Sequence, residues 1–126
     1  MTVVRELMST DLVTVEPTTM MIRAVGVMSK AGVGSVLVLE DQILRGIFTE
    51  RDVLRAFDEL HADPARVSPM SKVMTPDPRT IDADASVGEA MDAMLDGGFR
   101  HLPVMQDGAL VGIVSMRDLA RSISKG

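Results

Sequence analysis

Two rhythms of apolar residues alternate along this chain, and the whole succession occurs twice. In the second half, Arg79 to Asp82 reads as a short strand. Ser86 and Glu89 then form an S-x-x-E capping box, and Val87, Ala90, Met91, Met94 and Leu95 fall on one helical face. Gly97-Gly98 ends that helix. His101 to Met105 and Ala109 to Val114 are apolar runs of strand length, joined by Asp107-Gly108, a strong two-residue hairpin signal. Ser115 with Asp118 opens a last helix. The first half copies this order: strand Val13 to Glu16, helix Met20 to Ala31, strands Ser35 to Leu39 and Ile43 to Phe48, helix Glu50 to Leu60. Its hairpin, Asp41-Gln42, has weaker turn chemistry.

A shift of 66 positions superposes the halves without a gap, with Met8 on Met74, Thr14 on Thr80, Gly46-Ile47 on Gly112-Ile113 and Arg51-Asp52 on Arg117-Asp118. Such repetition takes precedence over any single motif. It predicts an α/β (α+β) fold of two tandem β-α-β-β-α repeats, residues 3–57 and 69–123, with 58–68 as the linker. Each repeat alone is too small to bury a comfortable core. Two of them, each hiding one sheet face, are expected to pack through their sheets with pseudo-two-fold symmetry.

The first helix of each repeat is apolar around most of its circumference. Met21, Ile22, Ala24, Val25, Val27 and Met28 leave only Arg23 and Gly26 as a polar strip; Val87, Ala90, Met91, Ala93, Met94 and Leu95 do nearly the same. A helix on one sheet needs an apolar stripe of only about 100°. A second neighbour is therefore expected, and a homodimer joined through the helices supplies it. The methionines at helical spacing read as core filler.

Composition narrows the chemistry. With 126 residues and a net charge of −5, the chain is a poor prospect for the phosphate backbone of a nucleic acid. Phe48, Phe57 and Phe99 are the only aromatics, too few for a base-stacking platform. There is no cysteine, which removes disulfides and thiolate chemistry. No apolar run approaches the roughly 20 residues needed to cross a bilayer, and Met1 to Met8 lacks the apolar core of a secretory signal. A cytoplasmic protein is expected. There is no nucleophile-base arrangement, no P-loop and no histidine or carboxylate cluster with metal-ligand spacing, so no enzyme is expected. His61 falls in the linker and is expected to be solvated.

The sharpest motif is Gly46-Ile47-Phe48-Thr49-Glu50-Arg51-Asp52, repeated as Gly112-Ile113-Val114-Ser115-Met116-Arg117-Asp118. Two readings compete. T-x-x-D and S-x-x-D are helix caps with Asp in the usual place of Glu. A helix start at the carboxyl end of a strand is also a natural anion site, where a carboxylate can accept from both hydroxyls of a ribose. Duplication copies caps as faithfully as sites.

This motif resembles the nucleotide signature of cystathionine-β-synthase (CBS) repeats. Phe99-Arg100-His101-Leu102-Pro103-Val104 resembles the middle strand of that family. Met74-Thr75-Pro76 before Thr80-Ile81, and Met8-Ser9-Thr10 before Thr14-Val15, resemble its opening. The resemblance covers nearly the whole chain. It implies a paired, non-catalytic module with two clefts between the repeats, holding AMP, ADP, ATP or S-adenosylmethionine as a regulatory ligand. The alternative it leaves is a structural interaction module with vestigial clefts. Carried over by position, Asp52 and Asp118 would hold ribose hydroxyls, and Thr49 and Ser115 would contact ribose or phosphate, with Arg51 and Arg117 beside them. Thr14, Val15, Thr80 and Ile81 would frame adenine, as would Val36-Leu37 and Leu102-Pro103. Arg100 and His101 stand where the first copy has Gly34 and Ser35, so the two clefts are expected to bind unequally. A ligand sensor also requires a regulated protein, which the sequence does not identify.

Overall fold

The computed structural model describes residues 1–125 and divides the chain into two compact units, residues 13–78 and residues 1–12 with 79 onward. The first of these contains β1 (Thr14–Val15), α1 (Met21–Ala31), β2 (Ser35–Glu40), β3 (Ile43–Thr49), α2 (Glu50–Leu60), α3 (Ala62–Arg66), α4 (Met70–Val73) and β4 (Thr75–Pro76). Its sheet has the order β1-β2-β3-β4, with β1 parallel to β2 and the other pairs antiparallel. The other unit contains a 3-10 turn (Val4–Glu6), β5 (Ile81–Asp82), α5 (Val87–Gly97), β6 (His101–Gln106), β7 (Ala109–Ser115) and α6 (Met116–Lys125), with sheet order β5-β6-β7. The mixed α+β class and the duplicated β-α-β-β-α order agree with the sequence reading.

The turns that shape each unit follow from local chemistry. Gly32 and Gly98 terminate α1 and α5 in the left-handed region, at φ 70° and 69°. Asp107-Gly108 makes the expected hairpin with both residues at positive φ. Asp41-Gln42 makes the same turn, at φ 51° and 69°, although Gln42 lacks glycine's freedom there. Six paired positions between β2 and β3 hold the turn in place against that local cost.

β1 and β5 are each two residues long, shorter than the strands expected over Val13 to Glu16 and Arg79 to Asp82, and β5 starts one position later in its copy than β1 does, for which Pro103 is the reason. In the first copy the Leu37 N–H donates to the Val13 carbonyl at 3.0 Å, extending the contact between β1 and β2. Pro103 occupies the position of Leu37 and has no N–H to give, so the pairing begins only at Ile81 with Val104.

The compact units and the sequence repeats are offset. The opening segment of each repeat packs with the other repeat. Val4 is fully buried in a core with Ala83, Ala90, Met94, Leu102, Val104, Val114 and Leu119. Its counterpart Met70 is fully buried with Val15, Met21, Ala24, Val36, Val38 and Phe48. The backbone anchors are also duplicated: Val4 and Arg5 N–H donate to the carbonyls of Ala85 and Ala83, each at 2.9 Å. Met70 and Ser71 N–H donate to those of Thr19 and Pro17, at 2.8 and 3.0 Å. Neither the 3-10 turn nor α3, α4 or β4 was expected from the sequence. The apolar spacing Val4, Leu7, Met8 and Met70, Val73, Met74 carried the signal for two of them.

The incoming segments then cross the glycine of the sharp motif. A Cβ on Gly46 would lie 2.4 Å from the Met74 sulfur and 2.9 Å from the Thr75 carbonyl oxygen. On Gly112 it would lie 2.6 Å from the Met8 sulfur and 2.9 Å from the Ser9 carbonyl oxygen. A thioether can swing aside. The carbonyls cannot, because Thr75 pairs with Ile47 and Ser9 with Ile113 across the same approach. We expect Gly46→Ala and Gly112→Ala each to destabilise the protein by about 1–3 kcal/mol, as overpacking does. Gly26→Ala, in an open stretch of α1, should instead be stabilising by up to about 1 kcal/mol. Urea denaturation of the three variants checks the contrast.

Candidate functional site

The strand-to-helix turns at Thr49 and Ser115 are built alike. At the second, the Ser115 N–H donates to Asp118 Oδ2 at 2.9 Å and the Asp118 N–H donates back to Ser115 Oγ at 3.2 Å. The Met116 N–H donates to the Arg100 carbonyl at 2.8 Å. Three of the four backbone donors that open α6 are thus satisfied inside the protein, leaving that of Arg117. At the first turn, the Thr49 N–H donates to Asp52 Oδ2 at 2.8 Å and the reciprocal bond completes a capping box. The Glu50 N–H donates to the Gly34 carbonyl at 3.2 Å. Both carboxylates are therefore caps in the full sense. Whatever they do for a ligand comes from side-chain atoms the caps leave over, not from an open cradle of N–H groups.

Beyond the cap the two turns differ. Asp52 is 2% exposed. Its Oδ2 also lies 3.2 Å from the Thr49 hydroxyl, and its Oδ1 accepts from the Thr75 hydroxyl at 2.9 Å and from the Arg55 guanidinium. Asp118 is only half-buried, and no further donor reaches it among the described residues. Arg121, the counterpart of Arg55, makes no ion pair with it there.

The remaining sequence candidates divide into two groups. Val15, Val36 and Leu102 belong to the hydrophobic cores, and Ile81 packs against the core of its own unit. Leu37 and Pro103 are also buried. Thr14 and Thr80 are exposed. Near the start of α6, His101 sits directly across from Ser115 on the neighbouring strand, and Arg100 precedes it. Arg100 and Arg117 are exposed, and His101 is half-buried. Arg100, His101, Ser115, Arg117 and Asp118 thus belong to one end of one sheet. The equivalent end of the other sheet has Gly34, Ser35, Thr49, Arg51 and Asp52, with Ser35 across from Thr49. Thr75 is the polar residue that sequence reasoning missed. It stood in a motif of the family's opening, but only the fold brings it to Asp52, 23 positions away.

Among the described residues no three His, Asp or Glu side chains gather as a metal site. No helix among them is long and apolar enough to cross a membrane. His61 is exposed, as expected, at the junction of α2 and α3 with φ 66°.

A duplicated β-α-β-β-α unit whose strand-to-helix turn carries a hydroxyl and a carboxylate three residues on defines a class of tandem repeats. The CBS domain model matches residues 4–59 and 70–125, and the chain belongs to that family. An uncharacterized 17.7 kDa protein of Acidianus ambivalens is 39% identical over 97% of this chain and 73% of its own length. A CBS-domain containing protein from Agrobacterium tumefaciens superposes with a TM-score of 0.92 at 32% identity, covering 97% of this chain and 99% of that one. A structure of CBSX2 in complex with AMP superposes with a TM-score of 0.82 at 26% identity, covering 98% of this chain and 96% of that one.

Proposed function

We propose that this chain is a regulatory module that binds an adenosyl compound, an adenine nucleotide or S-adenosylmethionine, and performs no chemistry on it. The observation that carries the reading is the Ser115-Asp118 turn with Arg100 and Arg117 around it. A half-buried carboxylate with acceptor capacity left over suits the paired hydroxyls of a ribose. A guanidinium suits phosphate oxygens. The complex of a family relative with AMP supports the same ligand class. Binding would be read by a target protein, with the cytoplasm as the expected setting. The second reading, an interaction module with vestigial clefts, draws support from the full commitment of Asp52 to internal partners.

Thermal denaturation with AMP, ADP, ATP, adenosine and S-adenosylmethionine separates the two. A ligand at a hundredfold excess over Kd stabilises the native state by about 2.7 kcal/mol, so at least one compound should raise Tm clearly. No rise with any of them would favour the interaction module. Arg100→Ala should weaken the phosphate-bearing ligands far more than adenosine; an equal loss for both would mean that Arg100 acts by packing.

We further propose a homodimer through the helices. Ile22, Leu54, Phe57, Leu95 and Ile123 all remain exposed on α1, α2, α5 and α6, with Leu54 at 72% and Leu95 at 66%. Apolar surface of that kind marks a contact. Light scattering after gel filtration should give twice the mass of the chain. A monomer persisting at tens of micromolar would assign the surface to a different protein.

A further inference from the structure

The two carboxylates of the duplicated motif occupy corresponding sequence positions, but their surroundings are opposite. An ionised carboxylate has about four acceptor positions. Around Asp52, Oδ2 faces the backbone N–H and hydroxyl of Thr49, and Oδ1 faces Thr75 and Arg55. All four are in use, the charge is matched by a guanidinium, and the side chain is buried. Two of these partners come from outside the cap itself. Thr75 arrives on β4, the segment that crosses Gly46, and Arg55 comes from the next turn of α2.

The counterpart of Thr75 is Ser9. Its backbone makes the same strand contact: Ser9 N–H donates to the Ile113 carbonyl at 2.8 Å, and the Ile113 N–H donates back at 3.0 Å. Its hydroxyl makes no bond to Asp118, and Ser9 is exposed. The chemical difference is one methyl group. Threonine is β-branched and stiff about χ1, so a threonine on a strand holds its hydroxyl in place, whereas serine turns freely. A single methyl thus accompanies the difference between a carboxylate enclosed by its own protein and one with an oxygen to spare.

We propose that Asp52 is a clasp and not a ligand residue: with Thr75 and Arg55 it ties β4 to α2, and the chain binds one adenosyl ligand, at the Asp118 turn, instead of two. This rests on the adenosyl reading for its ligand half only. A ribose offered to Asp52 would have to displace Thr75 and Arg55 from a buried charge, and removing partners from a buried charge is strongly unfavourable. At Asp118 no such exchange is needed.

Isothermal titration calorimetry with AMP and with S-adenosylmethionine is the test, paired with urea denaturation of the ligand-free protein. Wild type should bind one equivalent per chain. Asp118→Asn should weaken binding at least tenfold with little change in stability. Thr75→Val keeps the shape and the carboxylate; it should lower stability and change Kd by less than twofold, and Asp52→Asn should do the same more severely. Two equal equivalents per chain would overturn the proposal, as would a tenfold loss of affinity in Asp52→Asn at unchanged stability. The clasp is also decided without ligand. The stability losses of Asp52→Asn and Thr75→Val should be strongly non-additive when combined, while those of Asp118→Asn and Ser9→Ala add. Additive losses in the first pair would sink the clasp. If neither compound binds wild type, the adenosyl reading fails together with the role of Asp118, and the denaturation cycle still decides whether Asp52 is a clasp.

Discussion

The close approach of a backbone carbonyl to a glycine governs much of this structure. At Gly46 and again at Gly112, the central stretch of a strand accepts an incoming segment at a distance that leaves no room for a side chain. Because the segment can come so near, its backbone pairs with the residue after the glycine, at Ile47 and at Ile113. Upstream of the pairing, a buried apolar residue, Met70 or Val4, plugs the core. Downstream of the glycine, the same strand turns into the helix whose cap holds the carboxylate. The glycine of the signature is therefore a packing residue first. It positions the turn from behind.

That dependence accounts for what was legible in the sequence and what was not. The elements with strong local determinants were legible to within a residue or two: α1 and α5 from their periodicity and terminal glycines, and both hairpins from the paired apolar runs around Asp41-Gln42 and Asp107-Gly108. The short elements were not, because each owes its form to tertiary contacts. Thr75-Pro76 is a strand only by virtue of Gly46 and Ile47 beside it. Met70–Val73 is one turn of helix, too short to persist without the core it fills. The later start of β5 was legible in principle, since Pro103 stands in plain view, but it matters only once its neighbour is known.

The candidate site was legible in kind and not in detail. The repeated hydroxyl-x-x-Asp pattern named the right turns, and it offered a cap or a ligand contact as rival explanations. The structure makes the cap real in both copies and leaves the surplus to differ. That surplus depends on a partner arriving from far along the chain, Thr75 for Asp52. An internal alignment cannot foresee it, because Thr and Ser count there as a conservative pair. Several residues carried over from the family by position, Val15, Val36 and Leu102 among them, prove to be core. On a strand, neighbours in sequence point to opposite faces, which is why Val15 is buried while Thr14 beside it is exposed.

The offset between repeat and compact unit has a consequence for synthesis. Residues 13–78 form a unit continuous in sequence, complete as soon as residue 78 is available. Residues 1–12 leave the ribosome before that unit, yet their partners lie beyond residue 79. Domains emerging from the ribosome fold from the N-terminus onward, but here residues 1–12 must wait for residues 79 onward. During that interval Val4, Leu7 and Met8 have no core to enter. Residues 13–78 are therefore expected to fold before the segments on either side of them, and the other unit closes only when those two segments meet.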